Sequence, residues 1–212
     1  MLALKAVLLG LPLTLLIAAA SFAIGLVLAI PVTIGLRSRF APLRWLVRLL
    51  VDFIRGIPII VWLFIIFFGV VIGTFRFKPV QAAIVGFSII SAAYLAEIIR
   101  GGIQSVHFGQ WEAGEALGLP RSTTFLRVIV PQALRITSPS VATYFIGLLK
   151  DSSIASTIGV TEMVYYSMNY ARQNPGADAL TPFFIAAIVY IVISVPLAVV
   201  ARRLDARLRK EA

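Results

Sequence analysis

The sequence predicts an all-α membrane protein with five transmembrane helices. Two features of its composition set the class: 60% of the 212 residues are hydrophobic and only 13% are charged. Soluble domains run at roughly 45–50% and 25%. The third observation is the length of the uncharged runs. Ile57–Phe75 and Phe183–Ala201 each hold 19 residues without a charge, and Val80–Ile99 holds 20 with Glu97 as its one carboxylate. A helical span needs roughly 17–25 such residues. Residues 1–212 are therefore expected to form a single transmembrane domain.

The first span is drawn from Ala6–Leu36, uncharged for 31 residues. As a helix this is about 46 Å long, against a hydrocarbon core of about 30 Å. One tilted or overlong span is expected, with Pro12 and Pro31 as kinks or ends. The run is too long for a signal peptide and lacks a basic leader, so it reads as a retained span. Ile57–Phe75 and Val80–Ile99 supply spans two and three, and Phe183–Ala201 supplies the fifth. The fourth is irregular. Ile136–Leu149 is only 14 residues, followed by Lys150-Asp151-Ser152-Ser153 before apolar residues resume as far as Val160. Charge inside a membrane segment is costly unless buried in protein or facing a wet cavity, so a broken helix is expected here.

Charge then sets orientation. Of the 19 basic residues, 14 fall in the segment from Arg37 to Arg55, the loop from Arg100 to Arg135 and the tail from Arg202 to Lys210. Basic residues favour the cytoplasmic side, so an odd span count places the N-terminus outside and the C-terminus inside. The net charge of +10 is thus a topology signal with some attraction to anionic membrane lipid, not a nucleic-acid footprint. The absence of Cys and the single His107 exclude a disulfide framework, a thiol nucleophile and a His-pair metal site. No lysine follows a glycine, so there is no phosphate-binding Gly-Lys loop. Any nucleotide must be bound by another chain, and no catalytic residue is expected in this one.

The longest polar stretch is Gly101–Arg135. Within it Gln110–Leu117 reads as a short helix, with Glu112 and Glu115 near its start and Gly118 and Pro120 as stop signals. Ser122 is the expected cap of the next helix, and Pro131 interrupts the approach to span four. By physical pattern alone this is either an amphipathic connector or a docking helix.

Several blocks resemble one family. Glu112-Ala113-Gly114, three residues, Gly118, nine residues and Val128-Ile129-Val130-Pro131 are similar to the EAA loop of bacterial ABC importer permeases. Gly114 stands where that pattern has a second Ala, and Val replaces Ile and Leu in the last block. Arg55-Gly56-Ile57-Pro58, the run from Ala93 to Ile103, Pro131-Gln132-Ala133 and Lys150-Asp151-Ser152-Ser153-Ile154 resemble the permeases for polar amino acids and opines. Gly10 with Thr14-Leu15 extends the likeness toward the N-terminus. Ile57 replaces the usual Thr, and Trp62 stands where Gln is common, departures expected to bear on substrate preference.

The resemblance implies a type I importer (MetI-like) permease fold in the bacterial cytoplasmic membrane. It implies two ATPase subunits that bind ATP and Mg²⁺, a second permease subunit, identical or related, and a solute-binding protein outside. It makes the loop 104–131 the coupling element, with Glu112, Ala113, Gly114, Glu115, Gly118 and Pro131 carried over as its coupling residues. The cargo would be a polar amino acid, or another polar solute such as an opine. A self-contained carrier or channel is the alternative class.

Substrate contacts are read from the residues themselves. Span three carries Ser91, Tyr94 and Glu97 on a line that winds around the helix, so one face cannot hold them all. Glu97 either pairs with Arg100 at i,i+3 or meets substrate. Asp151 faces either an ammonium group of the substrate or a structural partner, and broken helix ends near it offer backbone groups. Tyr144 either lines the same cavity or packs. Glu162 is expected at the outer mouth, solvated or in docking, with substrate contact as the alternative. Asn174-Pro175-Gly176 reads as an outer turn. Ala82–Gly86 and Ala92–Ala96 permit close helix packing, within the bundle or across a dimer.

Overall fold

A computed structural model describes residues 2–174 and 178–210, without the side chains of residues 72, 204 and 207–210. The turn expected around Pro175-Gly176 lies outside the described residues. The described chain is almost wholly helical, with a two-stranded hairpin as its only sheet.

Helix α1, Leu2–Leu9, and α2, Leu11–Leu36, form one long apolar run broken at Gly10. Pro12 sits in the first turn of α2, where its missing N–H has no helical partner to lose. Pro31, by contrast, lies inside α2 without ending it. A side chain at Gly10 would collide with the backbone of Glu162 and Met163, so the break admits the start of a later helix.

Helix α3, Ala41–Gly56, is amphipathic. Leu46, Leu49, Leu50 and Phe53 recur at helical spacing and are all exposed, while Arg44, Arg48 and Arg55 occupy other faces. Ile57 is extended ahead of Pro58, as a residue before proline prefers, and the chain turns through 101° into α4, Ile59–Phe64, and a wider turn over Ile65–Gly69. Here the expected second span is corrected. The uncharged run Ile57–Phe75 holds only 11 helical residues before the hairpin of β1, Val71–Ile72, and β2, Phe75–Arg76, turning at Gly73 with φ of 61°. The β-branched residues after Gly69 leave the helix. Trp62 closes the corner: its indole N–H donates to the Ile54 carbonyl at 3.0 Å and its ring meets Phe53 edge-on.

Helix α5, Pro79–Ser105, is the central rod. It packs in parallel against α2, with Ser21 on the Ile84 carbonyl and Thr33 on the Ala96 carbonyl, both at 3.3 Å. Between them a Cβ on Gly25 would overlap the Ser91 side chain. Ala82, Gly86, Ala92 and Ala96 are buried within this chain, so their small size serves packing inside the bundle. Where lipid is as apolar as leucine, such close approach contributes more than hydrophobicity does. Phe87, Leu63 and Ile17 fill the remaining core.

The loop helices are α6, Gly109–Ala116, and α7, Arg121–Thr124. From Arg121 the chain stays helical without a gap: a wide turn over Phe125–Ile129, α8 over Val130–Asp151 and a tight turn over Ser152–Ile158. Pro131 does not break this run. It falls in the first turn of α8, where the wider preceding turn accommodates its ring. Ser122 is likewise inside α7, whose cap position is Pro120. The helix does not open at Lys150-Asp151 either. The backbone N–H of Ser152 still bonds the Leu148 carbonyl, the coil tightens, and it ends at Gly159 with φ of 86°. Helix α8 runs antiparallel to α5, since Thr137 crowds Gly102 while Tyr144 meets Ser91. Helices α9, Met163–Gln173, and α10, Thr181–Lys210, complete the fold.

By length and composition, three stretches can cross a bilayer: Leu2–Leu36, Pro79–Ser105 and Thr181–Arg203. A fourth arises if α3 and the helix after it count as one bent span. The five expected spans are therefore not all recovered on this criterion. At 22 residues α8 is long enough, but it carries Arg135, Lys150 and Asp151.

Candidate functional site

Two sites are assembled from the predicted residues. The first is the hairpin of α6 and α7. His107 Nδ1 accepts from the Gly109 backbone N–H at 3.1 Å, closing the first turn of α6, and Glu112 follows in that turn. At the other end Gly118 adopts φ of 65°, its N–H bonds the Glu115 carbonyl and the Leu119 N–H bonds the Gly114 carbonyl. This pair of bonds with a left-handed residue is a Schellman closure, which favours glycine. The chain then doubles back so tightly that a Cβ on Gly114 would lie 2.5 Å from both Thr124 Oγ1 and Cγ2. Trp111 stacks on Phe125 with centroids 6.1 Å apart, and Gln132 donates to Gln110 at 3.2 Å, seating the hairpin on the start of α8.

One face of α6 is left outward. Glu112, Ala113, Glu115 and Gly118 are exposed, and so are Phe108 at 70% and Leu117 at 76%. Phe108 and Leu117 were not among the predicted coupling residues. Large apolar side chains flanking a helix in the longest polar loop were the available signal. Pro131 stands apart from this face, at the foot of α8.

The second site lies between α5 and α8. The Tyr144 hydroxyl donates to Ser91 Oγ at 2.9 Å, and the Tyr94 and Tyr144 rings stack with centroids 5.7 Å apart. The Arg55 guanidinium lies 4.9 Å over the Tyr94 ring, so the block before Pro58 meets span three here. Ser91, Tyr94 and Tyr144 are thus brought together. Asp151 is two helical turns beyond Tyr144 on the same face of α8. Glu97 is drawn elsewhere: it holds Arg100 at 2.7 Å and Arg48 at 3.0 Å, with 13% of its side chain exposed. The Arg100 partner was anticipated. Arg48, 49 residues earlier, was not.

Glu162 corrects a further expectation. It is fully buried and caps α9, accepting from the backbone N–H groups of Val164 at 2.9 Å and Tyr165 at 2.8 Å and from the Tyr190 hydroxyl at 3.2 Å. Trp62, whose indole is committed to the corner of α3, is also directed to structure rather than to the tyrosine cluster.

The sequence model of the binding-protein-dependent transport system inner membrane component family matches residues 21–210. The chain belongs to this family. Among relatives of this inner membrane component, the probable amino-acid ABC transporter permease protein YckA of Bacillus subtilis is 39% identical, over 87% of the chain and 80% of the relative. The L-cystine transport system permease protein TcyB of the same organism is 38% identical, over 93% and 82%. The arginine transport system permease protein ArtQ, also of B. subtilis, is 34% identical, over 94% and 91%. Among solved structures, the crystal structure of an amino acid ABC transporter with histidines superposes with a TM-score of 0.89 at 28% identity, covering 96% of this chain and 94% of that one. An inward-facing MetNI methionine ABC transporter structure matches at 0.77 and 21% identity over 96% of each chain, a likeness of fold. The family component thus has the helical MetI-like type I permease fold.

Proposed function

We propose that this component is the permease subunit of an ATP-driven importer for a polar amino acid delivered by a binding protein. The observation that carries the proposal is the exposed α6 hairpin, closed at left-handed Gly118, in a chain whose relatives carry amino-acid permease names. A short rigid helix with Phe108, Glu112 and Leu117 outward suits the groove of an ATPase subunit. The chain itself does no chemistry. Two ATPase subunits would bind ATP and Mg²⁺, and a second permease subunit would complete the pathway.

Five crossings are part of the proposal. Because α2 and α5 run parallel, the segment between them must return to the starting side, which α3 and α4 do as a bent span. Because α8 runs antiparallel to α5, it supplies the next crossing and α10 the last. The basic segments then lie inside and the N-terminus outside. Ser91, Tyr94, Tyr144 and Asp151 face the amino acid, while Glu97 anchors Arg48 and Arg100.

Switching would be driven by ATP, which favours one of two arrangements of the permease pair. The test is ATPase activity of the complex reconstituted in vesicles, with the cognate binding protein and single amino acids. Stimulation by one liganded binding protein is expected. Solute flux through this chain alone, with no associated ATPase, would overturn the proposal.

A further inference from the structure

A cavity of about 670 Å³ opens where α2, α3 and the α6–α7 hairpin meet. Arg37, Arg39 and Arg121 stand in its lining, beside Trp111 and Phe125. Among the described residues none of these three arginines is paired with a carboxylate. The Arg37 guanidinium is held 5.8 Å over the Phe125 ring. Burial, and after it the like charge of Arg100, keep Arg37 below its ordinary range. The cavity thus gathers three arginines without a direct ion pair, although Arg39 and Arg121 also border the adjoining groove that holds Glu112 and Glu115.

A second groove of about 310 Å³ lies against it along α2, α5 and the foot of α8. The two share Thr33, Ile34, Ile103 and Phe125. Beyond those residues the groove is lined by aliphatic side chains such as Ile30, Ile99, Leu126 and Leu134, with Thr137 at its end. From Arg37 back to Ile30 the groove follows α2 for about 10 Å. A basic head chamber and an apolar slot thus adjoin across four shared wall residues.

We infer that these adjoining cavities bind an acidic phospholipid of the cytoplasmic leaflet, its phosphate on Arg37, Arg39 and Arg121 and an acyl chain along the slot. The depth at which it lies rests on the orientation proposed above. A phosphate among three arginines gains charge-assisted hydrogen bonds, and basic pockets between helices on this side of a membrane suit anionic headgroups. A free anion uses the chamber but leaves the slot empty. A zwitterionic lipid fills the slot and also brings a phosphate, but its ammonium group adds a further cation beside the three arginines, so it is disfavoured against a net-anionic headgroup. Trp111 and Phe125 belong both to this wall and to the seat of α6, so an occupied site braces the coupling hairpin.

The test is native mass spectrometry of the purified permease, with whatever subunits accompany it, after exchange with phosphatidylglycerol or phosphatidylcholine. Preferential retention of phosphatidylglycerol is expected, with the preference falling about tenfold or more in R37Q/R39Q/R121Q. Equal retention of the two lipids, an unchanged preference in that variant, or displacement by inorganic phosphate alone would overturn the inference. A second measurement needs no arginine variant. With Trp45→Phe and Trp62→Phe leaving Trp111 as reporter, brominated phosphatidylglycerol should quench its fluorescence more than brominated phosphatidylcholine. Equal quenching, as when a second permease copy covers the cavity, overturns the assignment. Both readouts stand whether or not an ATPase co-purifies, so failure of the importer proposal is scored separately.

Discussion

Gly114 and Thr124 occupy space that only one of them can fill. A Cβ on Gly114 would lie 2.5 Å from Thr124 Oγ1 and Cγ2 and 3.1 Å from its Cβ. Glycine costs roughly 1 kcal/mol against alanine in a helix interior. Here that cost permits the tight return of the chain from α6 to α7, which explains the departure from the Glu-Ala-Ala pattern.

Gly114→Ala should therefore destabilise the hairpin by about 1–3 kcal/mol despite its better helix propensity. Gly114→Ala with Thr124→Ala should recover most of the loss, because Oγ1 and Cγ2 are gone. Thermal unfolding of the four-member mutant cycle measures the coupling. A single mutant as stable as the parent would show that the hairpin relaxes freely.

Gly118 is a purely conformational case, since a Cβ there meets nothing within 4 Å. Alanine at φ of 65° costs about 1–2 kcal/mol, and asparagine less. Substrate-stimulated ATPase activity should fall in the order Gly, Asn, Ala, with the subunits still co-purifying. Loss of the complex in Gly118→Asn would mean that the hairpin is needed for assembly instead.

Glu97 serves two arginines, so its removal should cost more than the loss of either partner. Glu97→Ala leaves Arg48 and Arg100 facing each other, a loss on the order of 3 kcal/mol for a largely buried group. Arg48→Ala leaves the Arg100 pair intact and should cost about 1 kcal/mol or less. Melting temperatures of the two variants decide this, and equal losses would sink the shared-anchor account.

Tyr144→Phe keeps the stack on Tyr94 and deletes only the hydroxyl bonded to Ser91. If this pair lines the path, uptake should show a KM raised about fivefold, equivalent to about 1 kcal/mol, with assembly unchanged. Unaltered uptake kinetics with lowered stability would assign the hydroxyl to packing.

Glu162→Gln should destabilise the junction of α9 with α10 by about 1–2 kcal/mol, because an amide cannot accept from both backbone N–H groups as the carboxylate does. Limited proteolysis between Gly159 and Tyr170 reports this opening. Protection equal to the parent would argue that the cap is dispensable.

Much of the α6–α7 hairpin was legible because glycine and proline punctuate it. Gly118 and Pro120 mark a stop whatever surrounds them. Ile57–Phe75 was misread because absence of charge does not distinguish a helix from a corner followed by a hairpin. Pro58 and Gly73 carried that information. Arg48 is remote from Glu97 in sequence, so only the bend of α3 against α5 reveals the pair. Glu162 was read as solvated or docking because a carboxylate usually faces water. Its burial depends on two N–H groups and a tyrosine that no spacing rule links. The tyrosine cluster was half visible, since Ser91 and Tyr94 share a helix but their meeting with Tyr144 is set by packing.

The hydrogen bond from Tyr144 to Ser91 also has a mechanical meaning. Ser91 lies about 21 Å along α5 from Ser105, and Tyr144 about 21 Å along α8 from Val130, at 1.5 Å per residue. The hairpin of α6 and α7 joins those two ends, and from Arg121 to Ile158 the second limb has no loop in it. The pair thus sits where two long limbs cross, like the rivet of a pair of tongs whose second handle extends on to Arg121. Movement of the hairpin would reach that rivet as shear between two rods, and along the second limb no loop intervenes to absorb it.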